Sequence, residues 1–138
     1  MTERTGRCLC GAVTFKLTAE PIASRICWCK DCQHVSGNGT ANAVVPASGF
    51  EVQGVLTEYA SKAHSGNTIA RLFCPTCGGH VYGHTSARPE LRVVRLGALD
   101  DPSSIAPQQN IWTASAPSWA CLDPSLEQFT GQSAPPPK

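Results

Sequence analysis

The cysteines of this chain of 138 residues are concentrated in three short clusters, which hold seven of its eight thiols. The clusters are Cys8-Leu9-Cys10, Cys27-Trp28-Cys29-Lys30-Asp31-Cys32 and Cys74-Pro75-Thr76-Cys77. Four thiolates complete the tetrahedral shell of a structural zinc ion, whereas three leave one coordination position open for water or substrate. The two pairs and the triplet therefore predict one closed and one open zinc site, with two Zn²⁺ ions per chain.

A disulfide framework and a redox dithiol are the alternatives to metal binding. The opening residues Met-Thr-Glu-Arg-Thr-Gly-Arg contain no apolar stretch of the kind that marks a secretory signal, so we expect a cytoplasmic protein. In the reducing cytosol, clustered thiols are more often metal ligands or redox groups than structural bridges. Metal binding is therefore the favoured interpretation.

Length and charge limit the class of the protein further. A chain of this size is expected to form one domain, which we assign to residues 1–132. Residues 133–138 include three consecutive prolines and are predicted to be a disordered tail. The formal net charge is +1, and the Lys and Arg residues are scattered, which argues against a nucleic-acid or membrane partner. No apolar run approaches the roughly 18 residues of a membrane span.

Short segments separated by Gly and Pro predict an all-β fold. Residues 12–18 alternate in polarity, with Val13, Phe15 and Leu17 on one face, as in a half-buried strand. Residues 30–35 are expected to form little more than one helical turn. The segment 105–129 is expected to wrap the sheet in extended form. Further strands are predicted at residues 41–45, 50–55, 68–73, 80–83 and 91–96.

The segment from Cys74 to Gly78 has the form of a zinc knuckle. Pro75 favours a tight turn, and Gly78 can adopt a positive φ that directs backbone N–H groups towards the sulfurs. A thioredoxin-like redox pair is the alternative, but it would have to open a long helix. The knuckle needs two more ligands, and the other pair in the chain is Cys8 and Cys10.

The triplet Cys27, Cys29 and Cys32 brings three sulfurs into a short stretch of chain. A zinc ion held by these three could bind a thiol as a nucleophilic thiolate or polarise a carbonyl group. The alternative is a second structural site that a distant histidine or Cys121 completes. Gly37 and Gly39 suggest a close backbone approach just after the triplet, which favours the open site, with simple turn formation as the alternative.

The remaining candidate residues carry weaker signals. His34 could act on the metal or as an acid–base group, although a surface position is the simpler interpretation. His64, His80 and His84 have no assigned role. Cys121 is expected to be a small buried apolar residue. The Trp112 and Trp119 side chains are expected to pack onto the sheet, with a role in lining a pocket as the alternative.

The order of these motifs resembles the glutathione-dependent formaldehyde-activating enzyme family, also called the centromere-protein-V-like family. The resemblance is carried by Gly6-Arg7-Cys8-Leu9-Cys10-Gly11-Ala12-Val13, the cysteine triplet, Ser36-Gly37, Phe73-Cys74-Pro75-Thr76-Cys77-Gly78, Ile111-Trp112-Thr113-Ala114-Ser115 and Trp119. It implies an Mss4-like fold of short twisted antiparallel sheets. It also implies structural zinc at Cys8, Cys10, Cys74 and Cys77 and catalytic zinc at Cys27, Cys29 and Cys32.

The activity that the resemblance implies is that of a carbon–sulfur lyase. The named reaction joins glutathione and formaldehyde to give S-hydroxymethylglutathione, so the expected partners are a small thiol and a small aldehyde. Two other functions remain alternatives: a non-catalytic, zinc-stabilised binding module, and a thiol redox or zinc-buffering protein. The oligomeric state is not indicated by the sequence.

Overall fold

The computed structural model describes residues 3–133, which form two β-sheets and one short α-helix. The small sheet contains β1 (Arg4–Arg7), β2 (Thr14–Leu17) and β5 (Phe50–Gln53). The order of the eight strands in the large sheet is β11-β10-β3-β4-β9-β8-β7-β6. Its strands are β3 (Ala23–Cys27), β4 (Thr40–Pro46), β6 (Thr57–Lys62), β7 (Thr68–Phe73), β8 (His80–Thr85), β9 (Leu91–Arg95), β10 (Gln109–Ile111) and β11 (Glu127–Gln128). The helix α1 spans Lys30–Ser36, and single turns of 3₁₀ helix occur at Ala47–Gly49, Leu96–Ala98, Pro102–Ser104 and Thr113–Ser115.

The main apolar core involves both sheets, and the alternating face of residues 12–18 is buried in it, as predicted. Val13, Phe15 and Leu17 are at most 3% exposed, whereas the polar side chains between them face solvent. They belong to one buried cluster with apolar residues of the large sheet, including Val45, Val81 and Val94. Burial of each such side chain contributes about 1.5–3 kcal/mol relative to exposure. Cys8 and Cys74 belong to the same cluster, so one metal-binding candidate adjoins the core.

The all-β, Mss4-like fold is confirmed, although the large sheet is mixed. Most of its strand pairs are antiparallel, but β10 runs parallel to both β3 and β11. The segment 105–129, which we expected to wrap the sheet, instead adds two short strands to its edge. Strands β4 and β5, which are joined through Ala47–Gly49, belong to different sheets, so this connection carries the chain from one sheet to the other.

Three strands in the first half of the chain have no apolar alternation and were missed by the sequence prediction. In β3, the polar Ser24 is buried because its hydroxyl donates to the carbonyl of Ala106 at 2.7 Å. Strand β6 lies at the sheet edge and is mostly exposed, so it needs no apolar face. Strand β1 is held mainly by backbone pairing with β2. Helix α1 is also longer than the single turn expected for residues 30–35. It ends after Ser36, where Gly37 adopts a φ of +78°.

Two further expectations concern the ends of the chain and the membrane. The predicted tail at residues 133–138 lies outside the described residues, except for Ser133. This serine is buried, and its hydroxyl accepts a hydrogen bond from Nη1 of Arg25 at 3.0 Å. Within residues 3–133, no helix has the length and apolar character needed to cross a bilayer.

Candidate metal centres and catalytic site

The four-cysteine cluster, formed by Cys8, Cys10, Cys74 and Cys77, joins two tight turns from different sheets. The Sγ atoms of these residues all lie within 4.8 Å of one another. The Cys8–Cys10 and Cys10–Cys74 sulfur distances are both 3.7 Å. Sulfurs bound to one tetrahedral zinc at about 2.3 Å lie about 3.8 Å apart, whereas a disulfide requires about 2.05 Å. The spacing therefore fits a shared metal ion, and every cysteine is free of disulfide bonds.

Each turn of this cluster is shaped by a glycine directly after its second cysteine. Gly11 and Gly78 have φ values of +82° and +75°, and the space around each is open, so the backbone conformation itself favours glycine. The turns also direct backbone N–H groups at sulfur. Val13 donates to Cys8 at 3.3 Å, and Gly79 donates to Cys77 at 3.4 Å. Such donors stabilise thiolates, which are the form that binds metal.

The pKa of Cys77 reflects this arrangement. Backbone N–H groups, first that of Cys10 and then that of Gly79, lower the pKa of the Cys77 thiol to about 6. The knuckle predicted from the sequence is thus formed, and it presents at least one thiol that is ready to lose its proton.

The three-cysteine cluster, formed by Cys27, Cys29 and Cys32, is built where β3 ends and α1 begins. Cys27 is the last residue of β3 and is buried, Cys29 caps the N-terminus of α1, and Cys32 lies within the helix. Their sulfurs also lie within 4.8 Å of one another. Among residues 3–133, no other His, Cys, Asp or Glu completes this group. An ion bound here would therefore keep a position for another ligand.

Hydrogen bonding sets the charge distribution of this cluster when it holds no metal. Contacts with the Cys27 and Cys32 thiols lower the pKa of Cys29 to about 2. The contacts of Cys27 with Cys29 and Cys32 raise the pKa of Cys27. The backbone N–H of Cys32 also donates to Cys29 Sγ at 3.3 Å. These hydrogen bonds favour the thiolate form of Cys29, and a metal ion would replace the protons on its neighbours.

Gln33 ties the three-cysteine cluster to the C-terminal part of the chain. Its Nε2 donates to the carbonyl of Trp28 at 2.7 Å and to that of Ser115 at 3.0 Å. The backbone N–H of Trp28 donates to the carbonyl of Ile111 at 3.0 Å. The Trp28 ring is buried, and its Nε1 donates to Oδ1 of Asn110 at 3.4 Å. The turn that carries Cys27 and Cys29 is therefore fixed from both sides.

Three arginines, which the sequence analysis did not single out, surround the three-cysteine cluster. Burial lowers the pKa of Arg25 and of Arg95, and electrostatic interaction with the cysteines of this cluster partly offsets that effect. Arg71 helps to lower the pKa of Cys29. Its Nη2 also lies 4.0 Å from Oδ2 of Asp31. These guanidinium groups stabilise the negative charge that three thiolates would leave on a bound zinc ion. They come from β3, β9 and β7, so no local sequence pattern could have revealed them.

Several weaker expectations are corrected by the structure. Cys121 is exposed rather than buried, and Trp119 is 63% exposed rather than packed onto the sheet. Gly39 is required by packing, since a Cβ there would lie 2.6 Å from the Trp28 ring. Gly37 ends the helix. These glycines therefore give no argument for ligand access.

The histidines separate into surface and sheet positions. His34 is exposed near the end of α1, as the simpler interpretation predicted. His64 is also exposed. Nε2 of His84 lies 3.9 Å from Oε1 of Glu58. His80 stacks on Phe73 with ring centroids 5.2 Å apart. None of the four joins a metal-ligand cluster of the described chain.

A sequence model of the glutathione-dependent formaldehyde-activating enzyme family matches residues 3–115. The chain belongs to this family. The match spans all three cysteine clusters, so the resemblance found in the order of the motifs is confirmed.

A solved structure supports the fold of this family member. The chain is similar to a protein of Rhodobacter sphaeroides whose crystal structure was determined by structural genomics, with 27% identity and a TM-score of 0.57. The similarity covers 70% of this chain and 88% of the Rhodobacter protein. Among curated proteins, no sequence matches this chain significantly.

Proposed function

We propose that the protein is a zinc-dependent carbon–sulfur lyase that forms or cleaves a thiol–aldehyde adduct, with S-hydroxymethylglutathione from glutathione and formaldehyde as the leading candidate. In this proposal, Cys8, Cys10, Cys74 and Cys77 hold a structural zinc. Cys27, Cys29 and Cys32 hold a catalytic zinc. The observation that carries the proposal is the difference between four gathered sulfurs at one cluster and three at the other.

The chemistry of the three-cysteine cluster suits this reaction. Zinc bound there would stabilise a substrate thiol as its thiolate near neutral pH. The addition forms a carbon–sulfur bond while the carbonyl double bond of the aldehyde opens, and the thiol proton passes to the aldehyde oxygen. Nothing is oxidised or reduced. Arg71 and Arg95 would stabilise the additional negative charge when the thiolate arrives.

The proposal is tested by measuring exchange between free formaldehyde and its glutathione adduct by NMR. The zinc-loaded protein is expected to raise the exchange rate above that of the same mixture without protein. The uncatalysed rate must be subtracted, because thiols add to formaldehyde unaided. Equal rates with and without protein would reject glutathione–formaldehyde chemistry and favour the binding-module alternative.

Metal analysis should distinguish the two clusters. We expect two zinc ions per chain, and we expect a mild chelator to remove the ion with fewer protein ligands first. The zinc content should fall to one per chain while the circular dichroism spectrum and the thermal midpoint stay nearly constant. Loss of both ions together with unfolding, or one ion per chain from the start, would contradict the assignment of an open site.

A further inference from the structure

A cavity of about 650 Å³, which we call the Arg95 cavity, lies between the two cysteine clusters. One wall is formed by Cys8, Leu9 and Gly79 from the turns of the four-cysteine cluster. Ser36, near the end of α1, and Thr40, at the start of β4, also line the cavity. A volume of this size is in the range of small-molecule sites, which is about 300–1,000 Å³.

Two arginines give this cavity a positive character. Arg7, His80 and Arg95 line it, together with one acidic residue, Asp100. The Asp100 carboxylate already accepts a hydrogen bond from the Thr5 hydroxyl at 2.6 Å. Nη1 of Arg7 already donates to the carbonyls of Cys8 and Leu9. The two guanidinium charges still outnumber the single carboxylate, which favours an anionic ligand.

Two nitrogen atoms in the cavity wall have unused hydrogen-bonding capacity. Nε of Arg95 and Nδ1 of His80 are both buried and have no hydrogen-bond partner in the described chain. Both atoms are closed to solvent, so an anionic ligand in the cavity would satisfy them only together with a small rotation of the Arg95 and His80 side chains. Another part of Arg95 is held in place, since its Nη1 donates to Oδ1 of Asn42 at 2.6 Å. The guanidinium group is thus both oriented and incompletely satisfied.

The cavity adjoins the three-cysteine cluster without including its sulfurs. Ser36 and Thr40, which line the cavity, donate hydrogen bonds to the carbonyl of Cys32 at 2.9 and 3.1 Å. Arg95 also interacts electrostatically with the thiolates of that cluster. Arg95 therefore stands at the boundary between the cavity and the three-cysteine cluster.

From this arrangement we infer that the Arg95 cavity binds a carboxylate of the thiol substrate while the sulfur of that substrate occupies the three-cysteine site. The inference rests on the proposed function, and what it adds is the position of the carboxylate subsite and the residues that form it. Guanidinium groups bind carboxylates through paired, charge-assisted hydrogen bonds, and Arg95 is the less exposed member of the pair of arginines. A neutral thiol would reach the same sulfur position but would leave the cavity nitrogens without partners.

The test compares equilibrium binding of glutathione with that of its diethyl ester, in which both carboxylates are blocked, to the zinc-loaded protein, by calorimetry and without aldehyde. Arg95→Gln should weaken glutathione binding by about tenfold or more, because a hydrogen bond between charged groups is lost. Binding of the ester should weaken much less, because the ester brings only the thiolate, whose charge Arg95 also stabilises, and lacks the carboxylate. Equal weakening of both thiols, or of neither, would overturn the inference.

Two further variants keep the result interpretable. Arg92→Gln removes the same charge from the same strand, but residue 92 faces the opposite side of β9 and its Nη1 contacts the carbonyls of Pro89 and Leu91. It should leave the preference for glutathione over the ester unchanged. His80→Phe can keep the stacking on Phe73 while removing Nδ1, and it should reduce that preference even if Arg95→Gln fails to fold. If neither His80→Phe nor Arg95→Gln changed the preference for glutathione over the ester, the inference would be contradicted.

The binding measurement is independent of the proposed reaction. If the protein prefers glutathione to its ester through Arg95 but does not accelerate adduct exchange, the result supports the carboxylate subsite and contradicts the proposed catalysis. If the protein accelerates adduct exchange equally with both thiols, the result supports the catalysis and contradicts the subsite. Inorganic phosphate serves as a probe for a general anion site. If Arg95→Gln weakened phosphate binding but left glutathione binding unchanged, the carboxylate assignment would be wrong.

Discussion

Replacing Cys74 with serine is expected to leave the protein unfolded or aggregated. Cys74 is fully buried and belongs to the main apolar core. Its Sγ atom lies 3.7 Å from the Sγ atom of Cys10. A structural zinc contributes on the order of 10 kcal/mol to folding, which is comparable to the whole stability of a typical domain, about 5–15 kcal/mol. The expected result is loss of the cooperative thermal transition, measured by circular dichroism, together with loss of one zinc ion per chain.

Cys121→Ser is the matched control for this change. The same atom is exchanged, but Cys121 is exposed and belongs to neither cluster. Its thermal midpoint and zinc content should equal those of the unmodified protein. A soluble Cys74→Ser protein that melts cooperatively at the original midpoint would show that Cys74 does not hold a structural metal.

Cys29→Ser is expected to abolish acceleration of adduct exchange while the protein stays folded. Cys29 is partly exposed at the start of α1, and the thiol contacts that lower its pKa come from Cys27 and Cys32. Its loss leaves two sulfurs, which are too few to hold zinc firmly at an open site. The rate should fall to the uncatalysed value, and the zinc content should fall from two ions per chain to one.

Stability provides the second measurement on Cys29→Ser. The four-cysteine cluster and the main core do not include Cys29, so the thermal midpoint should decrease far less than in Cys74→Ser. Cys29 suits this test better than Cys27, because Cys27 is buried at the end of β3 and its replacement would also disturb packing. A Cys29→Ser protein with full catalytic acceleration would exclude this thiol from the catalytic centre.

The parts of the fold that the sequence predicted are those with a local signature. The alternation of Val13, Phe15 and Leu17 correctly identified a half-buried strand, and the cysteine spacing correctly identified which sulfurs come together. Strands β3 and β6 lack such a signature. In β3, Ser24 is buried because a residue 82 positions away accepts its hydrogen bond. Such long-range compensation cannot be recognised from a window of neighbouring residues.

The electrostatic surroundings of the three-cysteine cluster were unpredictable for a related reason. Arg25, Arg71 and Arg95 are widely separated in the sequence, and the order of strands in the large sheet brings their side chains to one cluster. The sequence alone shows scattered basic residues, which we read as the absence of a binding surface for polyanions. In the folded protein, the strand order brings three of these scattered arginines together, so positive charge is concentrated locally.

The position of the four-cysteine cluster between two hairpins has a consequence for how the protein folds. One pair of sulfurs comes from the turn between β1 and β2 in the small sheet, and the other comes from the turn between β7 and β8 in the large sheet. An ion bound by all four closes a loop between residues 64 positions apart. Closing such a loop is a slow, entropically unfavourable step in a fold dominated by non-local contacts. Metal supply during synthesis would then govern when the small sheet docks, so zinc starvation would trap chains whose individual hairpins are formed but whose sheets have not met.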